Sequence, residues 1–363
     1  MRPNPHVYLP LFLGAVLLGG CEPGDDRPPA NAVPVRVLTY NIGNPNAEDP
    51  DYPLRLKHRV YESYVGAQIR ALAPDIVLLQ EVLPTTHCDT LDESDPALTC
   101  YDPANSAPPV RRILGPDYSI ACDERLHVEC IGVRVGFGQI PGVEPGGYVL
   151  SGAPTPDLPM SSCEWAAGTC SNDYCDYEST VSAVTVQTGY GDLRVVHLHP
   201  NAAGSGFDGA YNGAPCRALQ LQQVFEGLPD QPDTPLISAH PTILGGDYNM
   251  DPVRMTSTYE SALWDAHVGA TGRFTDFTPT DDNGVQYATR RGAFGMAIDH
   301  VLADRSSGSC LVFGHDDGFG ADPGTVPLDD GFDWTLVPDG QWYPGRIDHF
   351  AILCNLEIDF TME

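Results

Sequence analysis

An α/β fold of two packed sheets with helices outside is predicted by three features of the 363-residue chain. Strand-like and helix-like segments alternate along it, β-rich stretches interrupt that alternation, and no internal repeat breaks it into units. Apolar residues make up 42%, with abundant Gly and Pro, which describes a globular chain with many turns and not a disordered one.

The elements follow in order. Val35 to Tyr40 is the first strand. Leu54 to Leu72 reads as a helix, because Leu56, Val60, Tyr64, Ala67 and Ala71 recur three or four apart as one apolar stripe. Ala73-Pro74-Asp75 ends it, and Ile76 to Leu79 is a short buried strand. Residues 84–112, rich in Pro, Asp, Thr and Cys, read as a disulfide-pinned loop insertion, and residues 151–178 read the same way. Thr180 to Gln187 and Leu193 to His199 form two strands around a Gly-Tyr-Gly-Asp turn. Ala214 to Glu226 is a helix with Leu219, Val224 and Phe225 inward. Ile243-Leu244 leads into Gly245-Gly246-Asp247, and Ala297 to Ala303 and Ile347 to Leu356 are the last strands.

The net charge is −30, and Lys57 is the only lysine. No basic stripe is present, so strong non-specific binding to nucleic acid is not expected. An acid-rich solvated surface accounts for the charge; collection of divalent cations is the sharper alternative. Arg2 precedes an apolar run, Leu9 to Gly20, too short to span a bilayer, that ends Leu18-Gly19-Gly20-Cys21. This resembles a bacterial lipobox. It implies a signal peptide over 1–20, a lipid on Cys21 and a flexible tether over 21–33, in a protein exported and anchored to the cell envelope (outer membrane, periplasmic or surface-facing). An ordinary secretory signal with a chance cysteine is the alternative. Without Cys21, ten cysteines remain of the eleven, which suggests five disulfides, with Cys88–Cys100, Cys122–Cys130 and Cys310–Cys354 favoured as neighbours. No CxxC pair points to structural zinc.

Five segments place polar groups at the ends of apolar strands, where a ligand can be met. Asn41 follows the first strand and offers a neutral oxygen or an amide donor; a turn asparagine is the plain alternative. Glu81 follows Ile76-Val77-Leu78-Leu79-Gln80, a costly place for a carboxylate unless it is paired or on a hard cation. His197 and His199 point to the same side of their strand, as a metal pair, as a phosphate contact, or as buried hydrogen-bonded histidines. Gly245-Gly246-Asp247-Tyr248-Asn249 lets backbone approach a ligand and sets Asp247 and Asn249 on one side. Asp299-His300 and Asp348-His349 are two Asp-His pairs, each able to supply a base and its orienting carboxylate.

In this order the five segments resemble the endonuclease/exonuclease/phosphatase superfamily, whose members are deoxyribonuclease-I-like. The resemblance spans residues 35–358. It implies a four-layer α-β-β-α sandwich and one catalytic domain over 34–360, with the cysteine-rich insertions near 84–112 and 151–178. It further implies Asn41, Glu81 and Asp348 at a divalent-metal site, with Mg²⁺ expected and Mn²⁺ or Ca²⁺ as alternatives. His199 would contact the scissile phosphate, Asp247 would align or deprotonate the attacking water, and Asn249 would hold a phosphate oxygen. Asp299 would orient His349, and His300 has no implied role. One departure stands out: Phe350-Ala351 follow Asp348-His349, where many members continue with a polar residue and proline.

The implied activity is metal-dependent hydrolysis of a phosphate ester, first of all a nuclease-type phosphodiesterase. Sphingomyelinase-like phospholipid cleavage and phosphomonoester hydrolysis are the alternatives, so the partner is nucleic acid or a phospholipid headgroup, met by a monomer. Phe332, Trp334, Trp342 and Tyr343 could serve as a membrane hairpin or pack on their own loop, and Arg290 and Arg291 could meet a phosphate or lie on the surface. A non-catalytic surface binding module on the same fold is the rival from another class.

Overall fold

The structure is a computed structural model that describes residues 32–42, 59–82, 107–124, 128–150, 161–162, 180–200, 214–227, 235–252, 260–281, 285–290, 296–313 and 349–361. In chain order the first elements are β1 (Ala32–Asn41), α1 (Arg59–Leu72), β2 (Ile76–Val82), α2 (Pro109–Leu114), β3 (Tyr118–Glu124), β4 (Val128–Arg134), β5 (Gly138–Gln139) and β6 (Tyr148–Leu150). Next come β7 (Ser161–Ser162), β8 (Thr180–Thr188), β9 (Gly191–His199), α3 (Ala214–Phe225), β10 (Thr242–Asp247) and α4 (Glu260–His267). The last are β11 (Thr275–Asp276), β12 (Asp299–Ala303), β13 (Ser306–Phe313) and β14 (Ala351–Asp359).

These strands form two mixed sheets. The first runs β13-β14-β1-β2-β4-β3-β6, and the second runs β11-β12-β10-β9-β8-β5, with β7 added on β8. Val35, Val37, Ile76, Leu78, Ile131 and Val133 of the first sheet pack face to face on Val184, Val186, Val195, Ile243 and Val301 of the second. The alternate residues of each strand face outward. Leu38, Tyr40, Val77 and Leu79 meet Val65 and Ile69 of α1 and Val110 and Ile113 of α2. Val196, Leu198, Leu244 and Leu302 meet Leu221 and Val224 of α3 and Trp264 of α4. Helix, sheet, sheet and helix therefore stack as the expected four-layer sandwich. Apolar runs buried on both faces explain why β2 and β10 read as continuous hydrophobic segments. Among the described residues, no helix is long and apolar enough to cross a membrane.

Several sequence expectations need correction. The buried face of α1 is Glu62, Val65 and Ile69, whereas Ala67 and Ala71 are exposed. Alanine carries too little apolar surface to set a face, and Val65 and Ile69 bury more. Glu62 joins that face because Arg112 of α2 grips its two carboxylate oxygens at 2.6 and 2.7 Å. In α3, Leu219 is half-buried and Leu221 takes the inward place beside Val224 and Phe225. Residues 109–112 belong to α2 and not to a loop insertion. Ala32 and Val33, inside the span expected to be a tether, pair with Asp359 and Ile358 and belong to β1. Cys122–Cys130 and Cys310–Cys354 are bonded as expected. Cys88 and Cys100 lie outside the described residues, as do Cys21, the residues 1–20 expected to form a signal, Arg291 and the aromatic residues Phe332, Trp334, Trp342 and Tyr343.

Candidate active site

The two-residue period of the strands aims the site between the sheets. In β1, Val35 and Val37 face the other sheet, and Thr39 and the fully buried Asn41 continue on that side. Glu81 departs from the period. Ile76 and Leu78 face the other sheet, so a regular strand would send Glu81 outward with Leu79. A register shift between Leu79 and Val82, with Glu81 at φ 56°, turns its carboxylate to Asn41 instead. In β9, His197 and His199 follow Leu193 and Val195 to the inter-sheet side. The neighbouring β10 comes very close at Gly246, where a Cβ would lie 1.8 Å from the Leu198 carbonyl oxygen and φ is +149°. That approach seats Asp247 beside His199.

The side chains converge. Asn41 Nδ2 donates to Glu81 Oε1 and to Asp247 Oδ2, both at 3.0 Å. His199 Nε2 lies 3.7 Å from Glu81 Oε1 and 3.8 Å from Asp247 Oδ2. Asp247 Oδ1 accepts the Asn249 backbone N–H at 2.7 Å, and Asn249 Nδ2 donates to the Pro200 carbonyl at 3.0 Å. This ties the end of β10 to the end of β9. Asp299 stands opposite Asp247 in the β10–β12 register. His349 Nδ1 lies 2.9 and 3.2 Å from the two Asp299 oxygens, and its Nε2 is 3.5 Å from Asp247 Oδ2. Asn41, Glu81, His199, Asp247, Asn249, Asp299 and His349 thus form one cluster. Asp348 lies outside the described residues. His300 faces the opposite side of β12. It packs edge-on to Tyr248 and Trp264 and reaches the Met250 carbonyl at 3.0 Å and Thr278 Oγ1 at 2.9 Å.

Sequence reasoning missed three contributors. Glu129, 1% exposed, puts Oε1 2.6 Å from His199 Nδ1. Its signal was a carboxylate inside Val128-Glu129-Cys130-Ile131, a strand-like run that went unread. Thr289 is fully buried, and its hydroxyl accepts the N–H groups of Ile298 and Asp299 at 3.0 and 2.9 Å while its carbonyl accepts that of Phe350 at 2.7 Å. It sets Asp299 and His349 against each other. Gln80 forms the floor, with Nε2 2.6 Å from His197 Nε2 and 3.2 Å from Thr39 Oγ1.

Electrostatics separates the two β9 histidines. Burial drives His197 down to about 4 despite Glu129 nearby, so it is a neutral hydrogen-bonding group. Burial also acts against charge on His199, but the Glu129 charge and hydrogen bond, then Asp247 and Glu81, outweigh it and lift His199 to about 10. Burial pushes the Asp299 carboxyl up; His349 opposes this and Asp247 adds to it. Among the described residues, the ion pairs to Glu81, Glu129, Asp247 and Asp299 all come from histidine. Such a concentration of buried carboxylate suits a cation. Ligand atoms of Asp247, Asp299 and His349 lie within 4.8 Å of one another, a buried cluster able to coordinate a divalent metal. The Asn41 amide wedged between Glu81 and Asp247 fits the same chemistry, since turning it over would present three oxygens to one point. The arrangement supports metal-dependent hydrolysis.

No family profile matches the chain, and no curated protein does. Solved structures do. An endonuclease/exonuclease/phosphatase from Bacteroides vulgatus aligns with a TM-score of 0.51 at 14% identity, over 90% of this chain and 100% of that one. An endonuclease/exonuclease/phosphatase family protein from Bacteroides thetaiotaomicron gives 0.50 at 14% identity, over 90% and 99%. A humanized D. rerio TDP2 gives 0.50 at 12% identity, over 89% and 98%. At these identities the likeness concerns the fold.

Proposed function

We propose, starting from a fold that is that of the endonuclease/exonuclease/phosphatase superfamily, that the chain is a Mg²⁺-dependent phosphodiesterase of nuclease type. One observation carries the reading: the Asn41 amide is held between Glu81 and Asp247, flanked by the Glu129–His199 and Asp299–His349 pairs. Asn41 and Glu81, with Asp348 as the third expected ligand, would hold the ion, and Asp247 meets both Asn41 and His349. When bound, the ion supplies positive charge to a non-bridging phosphate oxygen. The rest falls to the chain. Asp247 aligns the attacking water, and Asn249 and the charged His199 donate to the phosphate oxygens. His349, steadied by Asp299, exchanges the proton as the new P–O bond forms and the old one breaks. We also propose that Cys21 carries the lipid that keeps the enzyme on the cell envelope.

The test is a panel of DNA, RNA, sphingomyelin, phosphoinositides and bis-p-nitrophenyl phosphate, each with Mg²⁺, Mn²⁺ or Ca²⁺. Diester cleavage that needs the ion and is strongest on nucleic acid is expected. Folded protein with no turnover on any of them sinks the hydrolase reading and favours a binding module.

A further inference from the structure

The cluster and the start of the domain lie at opposite poles. Asn41, Glu81, His199 and Asp247 stand at the C-terminal ends of β1, β2, β9 and β10. Ala32 begins β1 at the other end, opposite Asp359 of β14. Nine steps of strand separate Ala32 from Asn41, about 30 Å. Among the described residues, two exposed large apolar side chains, Tyr190 and Val135, stand at the Ala32 pole. Tyr190, in the β8–β9 turn, is 64% exposed and lies 6.2 Å from the Phe360 ring just after β14. Val135, 42% exposed, closes the turn after β4, and with Phe137 and Gly189 it lines one shallow hollow there.

We propose that this pole faces the bilayer holding the Cys21 lipid, so that the site faces away and its substrate is a phosphodiester outside that membrane, not one of its lipids. This rests on the hydrolase and lipid-anchor readings above. Length favours one of the two orientations. Eleven steps separate Cys21 from Ala32. Eleven residues of random-coil dimensions would span about 18 Å root-mean-square, and no chain of that length can exceed about 36–40 Å. Turning the site onto the membrane lifts Ala32 by about the length of β1, about 30 Å, which takes most of the full extension. Laying the Ala32 pole on the membrane needs almost none, and Tyr190, with an apolar ring and a polar tip, suits the headgroup boundary. The acidic Asp25-Asp26 pair in the same segment gives it no attraction to anionic lipid, so apolar contact and the short leash set the orientation.

The experiment uses full-length lipidated protein in vesicles of phosphatidylethanolamine and phosphatidylglycerol. An environment-sensitive fluorescent amino acid replaces Tyr190 in one protein. In a second it replaces Val285, which is 41% exposed and lies four residues before Thr289, whose hydroxyl accepts the Asp299 N–H. Quenching by brominated lipid should be severalfold stronger at position 190 than at 285, and vesicle phospholipid should stay intact. Stronger quenching at 285 overturns the orientation and points to the site-side loops as the membrane face. Hydrolysis of the host phospholipid overturns the substrate assignment. Failure to sediment with vesicles overturns the anchor. Bis-p-nitrophenyl phosphate with Mg²⁺, given to the soluble Cys21→Ser protein, tests the hydrolase reading alone. Its failure leaves the quenching result standing.

Discussion

Glu129 Oε1 lies 2.6 Å from His199 Nδ1, with both residues buried, so the histidine is oriented and charged from below while its Nε2 looks toward Glu81 and Asp247. Glu129→Gln keeps the shape and removes the charge. It should lower diester turnover by about tenfold to 10²-fold, less than outright loss of an acid–base group. By NMR, the His199 titration should move down from its position near 10 in metal-free protein. An unmoved titration with unchanged turnover would refute the coupling.

Asp247 Oδ2 meets both Asn41 and His349, so its loss should be felt twice. Asp247→Asn and His349→Ala should each cut turnover by about 10²-fold or more. Asp299→Asn should cost less, since the imidazole remains. Combined variants should lose less than the product of the single losses, because the groups act as one unit. Glu81→Gln should raise the Mg²⁺ concentration needed for half-maximal rate. Strict additivity among these variants would count against a shared cluster.

His300→Ala serves as the internal control, though a costly one. The side chain is fully buried, holds the Met250 carbonyl and packs on Tyr248 and Trp264. A loss of about 2–4 kcal/mol of stability is expected, read by urea unfolding, with turnover per folded molecule reduced far less than in His349→Ala. If His300→Ala is folded and inactive while His349→Ala is active, the two Asp-His pairs have been assigned the wrong way round.

The β9 histidines bracket the pH range of metal-free protein. His197 is depressed to about 4 from an ordinary 6.5, so its buried neutral form costs stability as pH falls from 6.5 toward 4. His199 is raised to about 10, so its contribution is complete below 6.5 and is lost as pH rises through 10. Unfolding measured against pH should show both limbs. His197→Asn should flatten the acid limb alone, and an unchanged acid limb in that variant would be contrary to its burial as a neutral group.

The two disulfides should differ in worth by the loops they close. The sequence separations are 8 for Cys122–Cys130 and 44 for Cys310–Cys354. Chain entropy alone gives about 2.5 and about 4 kcal/mol. Urea unfolding of the two double Cys→Ala variants should rank them in that order. The reverse ranking would mean that packing around the sulfurs outweighs loop closure.

Much of this site could be read from the chain because strand periodicity does the aiming. Asn41, His199, Asp247 and Asp299 sit where a two-residue period carries an apolar strand to its end. Glu81 reaches Asn41 although the strand period alone would turn it outward, since a bulge and a positive φ supply its direction. Glu129 stayed hidden because its carboxylate acts across the sheets, on a strand 70 residues away. Ala67 and Ala71 lie off the buried face of α1 because alanines fill a helical stripe without fixing it, and Glu62 is drawn in by an arginine on another helix. Contacts between distant segments leave no periodic trace.

The tight passage at Gly246 has a consequence for mutational scanning. The position touches neither phosphate nor metal in the proposed scheme, yet even alanine there would have to force the Leu198 carbonyl away from a Cβ built 1.8 Å from it. His199 is the next residue on that strand and Asp247 the next on this one, so any relief of the clash widens the gap between two reacting groups. A library selected for turnover would therefore report Gly246 as intolerant as the histidines. An engineer seeking to enlarge the pocket should leave this seam closed and work from the loops above it.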